Sequence, residues 1–134
     1  MYLADTNIVS ELMRPRPEKG VLQWKDRLEA HAIPLVVSAI TVDEIVFGLQ
    51  WRPNAAKSAW FGGFLLRVRV LPVTEDIARR AGELRAQMAL IGQVRQQPDM
   101  LIAATAQVHA LTLVTRNVRD FDDCGIAVLN PFMP

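Results

Sequence analysis

Two histidines, one cysteine and one tyrosine are all that this 134-residue chain contains of those residue types. Each shortage removes a class of chemistry. Cys124 alone closes no internal disulfide and builds no thiolate metal site, so it reads as a free thiol in a reducing compartment. His31 and His109 poorly supply a metal-free ribonuclease that pairs two imidazoles as acid and base. No apolar run approaches the roughly 18–20 residues of a membrane span. The start Met1-Tyr2-Leu3-Ala4-Asp5 has no basic segment leading into an apolar one, so no signal peptide is read and a cytoplasmic location with no membrane partner is expected. The net charge is only +1, so bulk charge does not mark a nucleic-acid binder. Internal repeats, linkers and low-complexity tracts are also missing.

What remains is an ordinary globular mixture, 51% hydrophobic and 22% charged, sized for one domain over residues 1–134. Of the 15 basic residues 12 are arginine, the side chain whose planar fork suits phosphate and carboxylate. Short apolar runs alternate with amphipathic stretches, the pattern of an α/β fold with a parallel, mostly five-stranded sheet flanked by helices. Strands are expected at Tyr2–Ala4, Leu35–Ser38, within Val68–Val73, at Leu111–Val114 and at Ile126–Leu129. Helices are expected over Thr6–Met13, stopped by Arg14-Pro15-Arg16-Pro17, over Gly20–His31, after Thr41, over Ala55 to about Leu66, from Thr74 or Glu75, and over Pro98–Ala110. Thr41 and Glu44 form a capping-box pattern, S/T-x-x-E, and Val42, Ile45, Val46 and Leu49 mark one apolar stripe. Ile77, Ala81, Leu84, Met88 and Ile91 mark another, read as core or dimer surface.

A parallel α/β sheet receives ligands outside the carboxyl ends of its strands. Asp5 directly follows the first strand, and Glu44 lies in the first turn of the helix after the second. Asp99 opens the helix that returns to the fourth strand, and Thr115-Arg116-Asn117-Val118-Arg119-Asp120 follows that strand. Four distant segments therefore bring acids and amides to one edge. Converging carboxylates repel one another, and a divalent cation offsets that repulsion. All-oxygen donors suit Mg²⁺ or Mn²⁺ better than Zn²⁺. Such a site points to phosphoryl chemistry, with nuclease and phosphatase both open.

The order of these segments resembles the PIN-domain family, specifically the VapC/FitB-type toxins of bacterial toxin–antitoxin pairs. Tyr2-Leu3-Ala4-Asp5-Thr6-Asn7, Ser38-Ala39-Ile40-Thr41-Val42-Asp43-Glu44 with Gly48, Asp99-Met100-Leu101-Ile102-Ala103-Ala104, Val114-Thr115-Arg116-Asn117-Val118-Arg119-Asp120 and Leu129-Asn130-Pro131 are similar to its successive motifs. The resemblance implies a PIN fold and a Mg²⁺- or Mn²⁺-dependent endoribonuclease with Asp5, Glu44 and Asp99 as metal ligands. It implies an RNA substrate, a homodimer, and a small antitoxin that blocks the site and binds operator DNA. The family often carries a fourth acid where this chain has Asn117, so Asp120, or a neutral oxygen of Asn117, is expected to complete the catalytic set.

Plainer roles compete at each position. Asp5 could simply cap a helix, Glu44 could complete a capping box, and Asp99 could answer a helix dipole. Asp43 is a chemical decoy beside Glu44. Thr6, Asn7 and Thr115 are expected to orient the acids. Arg14 and Arg116 are weaker candidates for RNA phosphate, with a salt bridge or solvated charge as the alternative. A receiver domain would need its Asp where Leu71-Pro72-Val73-Thr74 stands. A haloacid-dehalogenase-type phosphatase would need an acid at Asn7. A catalytically silent binding module for RNA or protein is the remaining alternative.

Overall fold

In the computed structural model, which describes residues 1–132, five strands form one parallel sheet in the order β3-β2-β1-β4-β5. The strands are β1 (Tyr2–Ala4), β2 (Leu35–Ser38), β3 (Arg69–Leu71), β4 (Thr112–Val114) and β5 (Val128–Leu129). Helices α1 (Thr6–Leu12) and α2 (Lys19–Ala30) join β1 to β2, and α3 (Ala39–Trp51) and α4 (Ala55–Leu65) join β2 to β3. Helices α5 (Glu75–Leu90) and α6 (Gln97–Val108) precede β4, and a 3₁₀ turn (Val118–Phe121) precedes β5. Among the described residues no helix is long and apolar enough to cross a membrane.

The strands are short and covered on both faces, as parallel sheets require. Alternation assigns their side chains. Leu3, Val36, Leu71 and Leu113 join Ile77, Leu84, Met100 and Ile102 on the α5–α6 face. Ala4, Val37 and Val114 join Ile8, Val21, Trp24, Ile45, Phe61 and Phe64 on the other. Cys124 is buried, and its thiol contacts the Met100 sulfur at 3.9 Å.

Chain order creates the site. From β1 the chain winds outward to β2 and β3, then crosses to β4 on the opposite side of β1. Neighbouring connections leave the sheet in opposite directions between β1 and β4, which opens a crevice at their carboxyl ends. Ala4 lies beside Val114 in register, so Asp5 and Thr115 leave the sheet side by side.

Four local expectations are corrected. Helix α3 begins at Ala39, and Ser38 caps it by accepting from the Ile40 N–H at 3.0 Å. Thr41 and Glu44 therefore sit inside the helix and form no capping box. Val46 is exposed, so the α3 stripe rests on Ile45 with Val42 and Leu49 half-buried. Ile91 is 61% exposed because α5 ends one residue earlier, and the buried stripe stops at Met88. Helix α6 likewise stops short of Ala110, whose backbone turns left-handed at φ 53°. That conformation ends a helix.

A candidate metal-binding active site

Asp5 is positioned from three sides. Its backbone N–H continues the β1–β4 pairing by donating to the Val114 carbonyl at 2.9 Å. Oδ1 accepts from the Thr6 N–H at 2.8 Å, so Asp5 does cap α1. Oδ2 accepts from the Thr115 hydroxyl at 2.8 Å and from Asn7 Nδ2 at 3.2 Å. The capping role and the site role are thus compatible, because they use different oxygens. Asn7 in turn bridges to Thr115 Oγ1 and accepts from the Arg116 N–H. Thr6 and Thr41 share a hydroxyl contact at 3.0 Å, and Thr6 donates to Glu44 Oε1 at 2.6 Å. Of the adjacent pair Asp43 and Glu44, Glu44 is the one that reaches back to the β1 edge.

The four acids feel one another. Burial pushes the Asp5 carboxyl up, the hydrogen bonds from Thr115 and Thr6 pull it down, and the charges of Glu44 and Asp120 push it up again. Burial, followed by the charges of Asp5, Asp120 and Glu44, raises Asp99 to about 6, with Arg95 partly opposing. Asp5 and Asp99 thus lie within electrostatic reach of Glu44 and Asp120. Among the described residues, no three of the carboxylates stand in a ready-made metal cage. The donor chemistry nevertheless fits a hard divalent cation. The donors are carboxylate oxygens from four segments, Asp5 and Asp99 are raised by burial and neighbouring acids, and Arg95 lowers Asp99. Cations of the Mg²⁺ or Mn²⁺ type take such ligands.

Asn117 is exposed, and its backbone N–H donates to Thr115 Oγ1 at 3.0 Å. The two arginines considered for RNA both have partners within the chain. Arg14 pairs with Glu11 at 3.2 Å, and Arg116 lies 4.7 Å from the centre of the Phe132 ring. Both histidines sit at helix ends that feed the opposite edge of the sheet, at the C-caps of α2 and α6.

Two residues escaped the sequence reading. Thr41 is fully buried and contacts the Thr6 hydroxyl; its reading as the cap of a helix hid this. Glu11, 6% exposed, accepts from the Glu18 N–H at 2.8 Å and from Arg14, tying the end of α1 to the start of α2. The signal for it was an acid on the inward face of a short helix.

Thr115 gives a first test. Its hydroxyl is fully buried and joins Asp5, Asn7 and the Asn117 N–H. Thr115→Val keeps the shape and removes all three contacts. Groups that orient a metal ligand typically carry about 10- to 100-fold of affinity or activity. We therefore expect a loss of that size in Mn²⁺ affinity by calorimetry, with stability falling by about 1–3 kcal/mol. Unchanged Mn²⁺ affinity in a folded variant would show that Asp5 needs no such support.

Comparison with known proteins agrees with this fold. The PIN domain family profile matches residues 2–126. The chain is 36% identical to a protein named VapC ribonuclease Y4jK from Sinorhizobium fredii, over 100% of this chain and 99% of that one. It is 34% identical to the toxin FitB of Neisseria gonorrhoeae, over 98% and 99% of the two chains. The crystal structure of FitAcB from the same organism superposes with a TM-score of 0.84 over all of both chains. A DNA-bound VapBC from Salmonella typhimurium superposes at 0.83, with 26% identity and 97% of each chain covered.

Proposed function

The chain belongs to the PIN-domain family, and we propose that it is a Mg²⁺- or Mn²⁺-dependent endoribonuclease, the toxin of a toxin–antitoxin pair. The observation that supports the reading is the network at the carboxyl ends of β1 and β4, where Thr115 and the Thr6 N–H hold Asp5, the Thr6 hydroxyl holds Glu44, and Asp5 and Asp99 feel the charges of Glu44 and Asp120. The ribonuclease names of its relatives support the substrate class. Both features run against a silent binding module.

Asp5, Glu44 and Asp99 would hold the cation. When bound, it supplies a Lewis acid for a phosphoryl oxygen and lowers the pKa of a water. The residues of the chain do the positioning. Thr115, Asn7 and the Thr6 N–H fix the Asp5 carboxylate, and the Thr6 hydroxyl holds Glu44 against the β1 edge. Asp120, from the turn after β4, would orient the attacking water by accepting its hydrogen bond. The water oxygen bonds to phosphorus in line with the leaving group and gives up a proton to solvent, the P–O3′ bond breaks, and the departing O3′ takes a proton from solvent, so the 5′ phosphate stays on the downstream fragment.

The same reading gives the chain a homodimeric state in the cytoplasm and a small antitoxin partner that covers the site and binds operator DNA. The likeness to FitAcB and to a DNA-bound VapBC supports that partner. The test is cleavage of a structured RNA pool by antitoxin-free protein. EDTA should abolish cleavage, Mg²⁺ or Mn²⁺ should restore it, and the products should carry 5′ phosphate and 3′ hydroxyl ends. Cleavage that persists in EDTA would overturn the metal-dependent mechanism.

A further inference from the structure

An acidic crevice has a difficulty with its own substrate: four carboxylates repel a polyanion. The cation offsets this at the scissile phosphate only. The rest of the strand needs positive charge elsewhere on the surface, and Arg14 and Arg116 are already engaged by Glu11 and Phe132.

A groove of about 460 Å³ runs from Thr6 and Glu44 between α1 and the outer part of α3, ending at Arg52, Asn54 and Lys57. Among the described residues neither Arg52 nor Lys57 has a hydrogen bond or ion pair through its side chain; the recorded partners of the Arg52 and Lys57 backbones are Gly48 and Asn54. Gly48 lines the groove midway. A mid-helix glycine destabilises a helix relative to alanine. Here packing does not explain it, because a Cβ at Gly48 would meet nothing within 4 Å. Eight residues of helix from Glu44 to Arg52 span about 12 Å, so the basic end lies beyond the phosphate under attack.

We propose that this groove is the lane of the RNA strand next to the cleavage site, with Gly48 as its open floor and Arg52 and Lys57 binding a backbone phosphate of a flanking nucleotide. The inference rests on the nuclease reading and assigns that site its hold on substrate. The contact is with phosphate, so it positions the strand without reading its sequence.

Arg52→Ala, Lys57→Ala, the double variant and Gly48→Leu test it, with Arg27→Ala as a control. Arg27 lies in the last turn of α2, which leads to the opposite edge of the sheet, and is exposed. In cleavage assays each single charge removal should raise KM about three- to tenfold with little change in kcat, because a flanking phosphate is held alike before and during the reaction. Affinity is read separately on the Asp5→Asn protein, using a short fluorescein-labelled single-stranded oligoribonucleotide across a salt series. Each removal should flatten the plot of log K against log salt by about 0.7. Gly48→Leu should raise the melting temperature, since leucine favours helix, yet lower cleavage at least about tenfold by filling the lane. KM and salt slopes matching those of Arg27→Ala would overturn the lane even if the protein cleaves RNA normally. Loss of antitoxin binding with RNA affinity unchanged would also overturn it, and would make the groove a protein-docking surface. Because the binding arm needs no turnover, it decides the lane independently of the cleavage result on which the nuclease reading stands.

Discussion

Asp5→Asn should reduce RNA cleavage by at least ~10³-fold, a loss at the level of removing a main electrostatic element of a reaction centre. Asparagine serves an N-cap as well as aspartate does, so the bond from the Thr6 N–H to Oδ1 survives the change and α1 still starts correctly. What disappears is the charge next to Thr115 and Asn7. Circular dichroism and melting should therefore show a folded protein, and Mn²⁺ titration should show weakened binding. Cleavage retained by purified Asp5→Asn at the wild-type rate, with the same metal requirement, would remove Asp5 from the reaction centre.

Asp99→Asn should show a different pair of effects: cleavage falls by a similar factor, yet the metal-free protein becomes more stable at neutral pH. Asp99 accepts no hydrogen bond among the described residues, and burial and three neighbouring acids raise it from 3.8 to about 6. A carboxyl raised on folding binds more protons in the folded state than in the unfolded state between those values. Stability associated with it is therefore complete below about pH 3.8 and declines as pH rises through about 6. After allowance for solvent around a half-buried group, the neutral-pH penalty is about 1 kcal/mol, or a few degrees of melting temperature. In EDTA, Asp99→Asn should melt above wild type at pH 7.5, and the gap should close as pH falls toward 4. Added Mn²⁺ should reverse the order, because wild type then gains a bound cation and the variant gains less. Parallel melting curves across pH would show that Asp99 does not share a charged site with Asp5, Glu44 and Asp120.

These two acids also show what could be read from the sequence. Asp5 was placed by two elementary facts, that it follows an apolar strand and that ligands of parallel sheets collect at strand ends. Asp99 followed from helix direction. The motif position of Glu44 favours it over Asp43, and Glu44 is the acid that receives the Thr6 hydroxyl; its plainer role, the capping box, is what the structure removes. The capping box read at Thr41 and Glu44 is absent because Ser38, still in extended backbone, caps α3 first. One residue of strand thus does two jobs that period and composition assign to different places. Val46 and Ile91 misled because apolar spacing continues past the point where a helix has anything to pack against. Thr41, Arg52 and Lys57 were hidden for a common reason: their roles depend on which distant segment lies alongside, and no spacing along one segment contains that information.

The central place of β1 has a consequence for how the molecule comes into being. The first strand made is the middle of the sheet, and one of its flanks stays bare until β4 exists. Asp5 and its partner Thr115 are 110 positions apart. Asp5 is therefore synthesised well before the hydroxyl that aims it. Domains generally fold as units during synthesis, and here closing the last long loop is the same event as assembling the site. Until β4 pairs with β1, Asp5 and Thr115 are far apart on an open chain, and the crevice forms with that pairing.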